Sequence, residues 1–89
     1  MENQDDNHYI ELVIHGETAA FAPLVNRHKD LVFTIAMNIT RNREDAEEVA
    51  QDVFLKAFQK LAGFRKESGF ATWLYRIAYN EAITKIRKK

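Results

Sequence analysis

The sequence predicts an all-α domain, a small bundle of three main helices preceded by a short N-terminal helix. A chain of 89 residues is long enough for one domain with a single core. Its apolar residues recur three and four positions apart, which is the period of an amphipathic helix. No stretch of useful length alternates apolar and polar residues, and no Asn-Gly or Asp-Gly pair predicts a hairpin.

The first helix is predicted over residues 7–15 and is short. Tyr9, Leu12 and Val13 form its apolar side. Gly16 ends it, because glycine favours the position just after a helix.

The second helix is predicted over residues 18–39. Pro23 fits only within or just after its first turn, because a proline further inside would break the helix. His28 on the apolar side is interpreted as a packed or edge histidine; no second His or Cys stands at a metal-ligand spacing, so no metal site is predicted. The apolar stripe comprises Phe21, Leu24, Val25, His28, Leu31, Val32, Ile35, Ala36 and Ile39.

The third helix is predicted over residues 43–61, with Asn42 as its N-cap and Gly63 closing it. Glu44 and Asp45 stand in the first turn, where the helix dipole favours acids. The apolar stripe comprises Ala46, Val49, Ala50, Val53, Phe54, Ala57, Phe58 and Leu61.

The opposite side of the third helix is polar and acidic, with Leu55 near its centre. A solvated acidic face is the usual meaning of such a pattern. An apolar centre ringed by acids and amides is also typical of a partner site for a basic surface, and the pattern alone leaves both open. The polar side comprises Glu44, Glu48, Gln51, Asp52, Leu55 and Gln59, with Glu47 and Phe58 at its border.

The fourth helix is predicted over residues 70–88, after the loop "FRKESG". Phe64 and Trp73 have no evident core role, Tyr79 lies at the boundary, and Phe70 is ambiguous between helix entry and pocket wall. The core side is predicted as Ala71, Leu74, Tyr75, Ala78, Ala82 and Ile86, and the polar side as Thr72, Trp73, Arg76, Asn80, Thr84 and Arg87.

Two interpretations of the stretch "GFRKESGFATWLYRIAYN" remain open. Trp73 could pack under the preceding loop with Arg76 lying over it. Alternatively, the stretch binds nucleic acid: its cations neutralise phosphates, its aromatic rings stack on unpaired bases, and Asn80 recognises a base edge. The loop between Phe64 and Phe70 could then hold a base taken out of the stack. No nucleophile–base pair or zinc set is present, so neither an enzyme nor a cofactor is predicted.

Charge is divided unevenly along a chain whose net charge is zero. Residues 1–60 carry 6 basic and 11 acidic side chains, and residues 61–89 carry 7 and 2. This division suggests two partners, the basic part facing a polyanion, although a chance distribution is the simpler alternative. The sequence has no cysteine, no signal peptide and no apolar run that could span a bilayer, which favours a cytoplasmic protein.

The segment "EDAEEVAQDVFLKAFQKL" followed by "FRKESGFATWLYRIAYNEAITKIRKK" resembles domain 2 of bacterial sigma factors, most closely the extracytoplasmic-function group. The likeness covers residues 16–89, after an N-terminal segment of residues 1–15. It implies a domain that docks on the clamp helices of the largest RNA polymerase subunit, recognises and opens the minus-ten promoter element, and holds its non-template strand. The chain ends where the linker to a minus-thirty-five-recognising domain would start, so that domain is expected to be absent from it.

The resemblance also implies site residues. Matching positions and their neighbours predict contact with promoter DNA by Phe64, Arg65, Lys66, Phe70, Thr72, Trp73, Arg76, Asn80, Arg87 and Lys88. Polymerase contact is implied for Glu48, Gln51, Asp52, Phe54 and Phe58, and the helical wheel adds Leu55. An anti-sigma factor is a further candidate partner. The alternative function is a helical protein–protein module that binds no nucleic acid, in which Trp73 and Phe64 are interface anchors.

Overall fold

The computed structural model describes residues 5–65 and 68–88. In these ranges the chain forms four α-helices: α1 (Asp6–Ile14), α2 (Phe21–Thr40), α3 (Arg43–Lys60) and α4 (Phe70–Arg87). Single 3-10 turns at Thr18–Ala20 and Leu61–Gly63 precede α2 and follow α3. No strand occurs in the described part of the chain, so the predicted all-α fold is confirmed.

The N-terminal helix α1 begins one residue before its predicted start. The Asp5 side chain caps it by accepting a hydrogen bond of 3.0 Å from the His8 backbone N–H. Gly16 follows the helix with φ of 105°, a left-handed conformation that favours glycine. Ile10 is the fully buried residue of α1, although the predicted apolar side omitted it.

Helix α2 lies at the centre of the bundle and packs on both α3 and α4. Pro23 is its third residue, as the sequence requires. His28 is half-buried, and its Nε2 lies 2.9 Å from Oδ2 of Asp6. The other carboxylate oxygen of Asp6, Oδ1, accepts a hydrogen bond from Arg27. The prediction of a packed or edge histidine is thus confirmed, and the pair ties α1 to α2. Leu31 is 48% exposed, so its assignment to the core stripe was wrong: the stripe is wider than the surface that neighbouring helices cover.

Helix α3 begins and ends close to the predicted residues. The Asn42 side chain accepts a hydrogen bond of 2.9 Å from the Asp45 backbone N–H, which confirms the predicted N-cap. The stripe from Ala46 to Leu61 is buried at its centre, whereas Phe58 at its edge is exposed.

Helix α4 closes the bundle against α2 and α3. Leu74, Ala78 and Ala82 are buried, as predicted. Tyr75 is only half-buried, and Ile86 is exposed because it lies in the last turn, beyond the last buried residue of the helix. None of the helices in the described ranges has the length and hydropathy needed to cross a lipid bilayer.

Two ion pairs join α3 to α4. Lys56 Nζ donates to Glu81 Oε2 at 2.6 Å, and Lys85 Nζ donates to Glu48 Oε1 at 2.9 Å. The acid comes from α4 in the first pair and from α3 in the second. Both pairs therefore connect the two helices that carry most of the predicted site residues.

Candidate functional site

Three aromatic rings form a cluster where the loop after α3 meets the start of α4. The Phe64 and Trp73 ring centroids are 5.0 Å apart, and Phe70 lies 5.9 Å from Phe64 and 5.7 Å from Trp73. Phe64 is 7% exposed and Phe70 is 3% exposed, and both belong to the hydrophobic core. The prediction that Phe64 has no core role was therefore wrong. Trp73 is half-buried and packs against that core, so it does pack near the preceding loop.

The cluster forms one wall of a depression of about 380 Å³, which we call the loop pocket. Phe64 and Trp73 supply its aromatic surface, and Arg65 and Arg76 supply cations. Phe70 does not line the pocket; it supports Phe64 and Trp73 from behind. The loop pocket is lined by Gly63, Phe64, Arg65, Ser68, Trp73 and Arg76.

A second depression, of about 490 Å³, lies between α2 and α4 and is called here the interhelical groove. Arg76 lines both depressions, so they adjoin. Thr72 and Asn80, two of the predicted DNA-contacting residues, lie on the groove and not on the loop pocket. The interhelical groove is lined by Ile35, Thr72, Tyr75, Arg76, Tyr79 and Asn80.

Two further predicted DNA-contacting residues, Arg87 and Lys88, lie apart from the two depressions. Arg87 and Lys88 are exposed at the end of α4. Fourteen residues separate Arg87 from Trp73, which corresponds to about 21 Å along a helix axis. They therefore form a separate basic end and do not belong to the loop pocket. Lys66 lies outside the described residues.

The predicted polymerase-contacting residues share one side of α3, called here the acidic face: Glu48, Gln51, Asp52, Leu55 and Phe58. Leu55 is 56% exposed and Phe58 is 39% exposed. Phe58 makes an edge-to-face contact of 5.2 Å with Phe21 of α2, and Phe54 is half-buried against the core. The sequence prediction of an apolar centre among exposed acids and amides is confirmed by these positions.

The pKa shifts of two groups on α4 follow from their surroundings. Burial raises the pKa of the Tyr75 phenol, and the negative charge of Asp6 raises it further. The hydrogen bond to Glu48 raises the pKa of the Lys85 ammonium. Both groups are consequently protonated at neutral pH, Tyr75 as a neutral hydrogen-bond donor and Lys85 as a cation.

The sequence predictions did not include five residues that line the two depressions: Ile35, Gly63, Ser68, Tyr75 and Tyr79. Tyr79 is the exposed aromatic residue among them. It was placed at the core boundary, yet it is 56% exposed and lines the interhelical groove. Its position one turn after Tyr75 and next to Asn80 was the signal that could have identified it. Among the described residues no group of His, Cys, Asp and Glu could hold a metal ion.

Comparisons with known proteins point to one family. The family model "Sigma-70 region 2" matches residues 24–89. The chain is similar to the ECF RNA polymerase sigma factor SigW of Bacillus subtilis, with 39% identity over 90% of this chain and 43% of that protein. It is similar to the ECF RNA polymerase sigma-E factor of Escherichia coli K12, with 38% identity over 91% of this chain and 42% of that protein. The chain thus spans less than half the length of these relatives.

A solved structure is similar over nearly the whole chain. It is the NMR structure of an engineered region 2 of sigmaE in complex with GTAAAA. The TM-score is 0.90 and the identity is 33%, over 99% of this chain and 92% of that one.

Proposed function

The chain belongs to the Sigma-70 region 2 family, in its extracytoplasmic-function group, and from this premise we propose that it recognises the minus-ten promoter element during transcription initiation. In this proposal the domain holds the non-template strand once the duplex opens. The function is recognition and strand capture, without catalysis, and it would take place in the cytoplasm, where RNA polymerase acts.

The observation that carries this proposal is the loop pocket. It combines two aromatic rings with two guanidinium groups in one depression. Aromatic faces stack on unpaired bases of any identity, and arginines neutralise the phosphates that flank them. The similar solved region 2 of sigmaE is a complex with the hexanucleotide GTAAAA, which supports a single-stranded ligand.

Base specificity is proposed for Asn80. Its amide carries both a donor and an acceptor, so it can recognise a base edge. The basic end formed by Arg87 and Lys88 contacts backbone phosphates upstream, a role that requires charge but no particular base. Along α4, base recognition and phosphate binding are then carried out by different residues.

Polymerase docking is proposed for the acidic face. Leu55 and Phe58 provide an exposed apolar centre, and Glu48, Gln51 and Asp52 provide its acidic and amide surroundings. Such a surface complements a basic partner with apolar anchors, which we propose to be the clamp helices of the largest polymerase subunit. An anti-sigma factor that covered the same face would compete with polymerase. A second domain that recognises the minus-thirty-five element is proposed for the whole protein, as in a complete sigma factor.

A fluorescence titration tests the nucleic-acid part of the proposal. Trp73 is the only tryptophan of the chain, and it lines the loop pocket. Titration with single-stranded GTAAAA at low salt is expected to quench its emission, and added salt should weaken binding because phosphate contacts release counterions. Arg65→Gln should weaken binding, whereas Lys29→Gln removes a cation in a groove between α2 and α3 and should not.

The same titration separates the two candidate functions. If GTAAAA and a scrambled oligonucleotide both fail to change the emission at low salt, the nucleic-acid function is wrong. The module that binds only proteins would then account for the exposed aromatic residues.

A further inference from the structure

We propose that the interhelical groove is a second nucleobase subsite, in which the Tyr79 ring stacks on an unpaired base close to the base held in the loop pocket. This inference rests on the proposed function and adds to it a place for a second base. Its occupant is the same single strand of DNA.

The exposure of Tyr79 is the first argument. The side chain is 56% exposed although it stands on a helix with a buried face directly beside it. An aromatic ring that lines a depression and remains accessible offers a π-face for stacking, and base–aromatic stacking contributes to affinity in single-strand binding proteins.

The second argument is the chemistry of the groove. Ile35 and the rings of Tyr75 and Tyr79 provide apolar surface. Thr72 and Asn80 provide hydrogen-bonding groups. Arg76 is the single charged residue among those that line it, and it is a cation. A volume of about 490 Å³ falls within the range of small-molecule pockets. An apolar slot with a few polar groups and one cation fits a nucleotide better than it fits an acidic or basic peptide.

The third argument is continuity with the loop pocket. Arg76 lines both depressions, so a phosphate bound there would lie between the two sites. Trp73 and Tyr79 are six residues apart on α4, about 9 Å along the axis, and stacked nucleotides are spaced ~3.4 Å apart along a strand. A strand with one base in the loop pocket therefore reaches the groove within a few nucleotides.

Tyr75 also provides a hydroxyl group among the residues that line the groove. Its half-buried phenol has a raised pKa because of burial and the nearby Asp6 carboxylate. It therefore keeps its proton across the neutral range and is available as a hydrogen-bond donor to a base.

The test uses GTAAAA oligonucleotides with 2-aminopurine in place of each adenine in turn, bound to the 89-residue chain. The emission of 2-aminopurine at two different positions is expected to change on binding. Tyr79→Ala should abolish the emission change at one of these positions and weaken binding about 5-fold to about 150-fold, as expected for one lost stacking contact. Tyr79→Phe keeps the ring and should retain both effects.

Two further variants make the test specific. Trp73→Ala should abolish the change in 2-aminopurine emission at the other position, because Trp73 lines only the loop pocket. Ile14→Ala removes an exposed apolar side chain on α1 and should leave both positions unchanged. Thermal unfolding by circular dichroism checks that each variant is folded.

The outcomes distinguish this inference from the proposed function. If no oligonucleotide binds at low salt, both are overturned. If GTAAAA quenches Trp73 but Tyr79→Ala alters neither affinity nor 2-aminopurine emission, only the second subsite is overturned. If Tyr79→Ala leaves oligonucleotide binding intact and weakens retention by purified polymerase, the groove belongs to a protein interface and the subsite is likewise overturned.

Discussion

The loop pocket and the acidic face lie on adjacent parts of the chain, yet their apolar residues are placed in opposite ways. The aromatic wall of the loop pocket continues into the core: Phe64 is buried, and Phe70 behind it is buried more completely. The acidic face instead exposes its central residue, Leu55, on the side of α3 that faces away from the core. The loop pocket is therefore built partly from core residues, whereas the central residue of the acidic face lies outside the core.

This difference bears on how mutations should be interpreted. A change in the loop pocket alters the core and the candidate binding site together, so loss of binding can simply report unfolding. A change at an exposed position of the acidic face such as Leu55 or Asp52 alters the surface and leaves the core intact, and such substitutions usually shift stability by within ±0.5 kcal/mol. Loss of partner binding there is direct evidence of contact.

The largest expected effect is on stability and comes from truncating the support of the loop pocket. Phe70→Ala removes a buried ring that contacts Phe64, Trp73 and His28, and it should lower the free energy of unfolding by ~3–5 kcal/mol. Leu55→Ala on the acidic face should change it by less than about 0.5 kcal/mol. Urea unfolding followed by circular dichroism measures both. Equal losses of unfolding free energy in Phe70→Ala and Leu55→Ala would contradict the conclusion that only the loop pocket is built from core residues.

The next largest effect concerns partner binding through the acidic face. Asp52→Arg places a cation where a basic partner is proposed to dock, and like charges juxtaposed at an interface cost several kcal/mol. We expect retention by purified clamp helices to fall at least tenfold while GTAAAA binding persists. Glu17→Arg makes the same charge change at an exposed position outside the face and serves as control. Undiminished retention of Asp52→Arg would contradict the docking assignment.

The sequence was sufficient to predict the helices because each has a periodic stripe and a recognisable end. Asn42 at the start of α3 and Gly16 after the end of α1 were predictable because capping depends on neighbours within a few residues. The same reasoning failed at Leu31 and Ile86, because a helical wheel gives the direction of a side chain but not whether another helix covers it.

The loop pocket was harder to predict than the helices. The wheel placed Trp73 on the polar side of α4 and gave no contact for Phe64, which precedes the helix. The burial of Phe64 depends on how the loop after α3 returns to the start of α4, and that path is set by tertiary packing. The prediction that Leu55 is exposed succeeded because it needed only the local geometry of one helix.

A smaller effect distinguishes base recognition from phosphate binding within α4. Asn80→Ala is expected to change base preference by ~1–3 kcal/mol at one position, the discrimination typical of a paired amide–base contact. Lys88→Ala should weaken binding to all sequences alike and lower the salt slope by about one unit. Binding to a panel of single-base variants of GTAAAA at several salt concentrations measures both. Equal losses on every sequence for both variants would exclude a base-recognising role for Asn80.

The smallest expected effect comes from the ion pair that links the acidic face to α4, formed by Glu48 of that face and Lys85. The Glu48 side chain is 62% exposed, so solvent screens the pair. A double-mutant cycle of Glu48→Gln and Lys85→Gln should give a small coupling that falls with salt. Because the hydrogen bond to Glu48 raises the pKa of Lys85 above its ordinary value of 10.5, the pair contributes fully from neutral pH up to that ordinary value. The contribution should disappear as pH rises through the raised value and the ammonium loses its proton. A coupling that neither salt nor alkaline pH reduces would mean that Glu48 and Lys85 interact through something other than their charges.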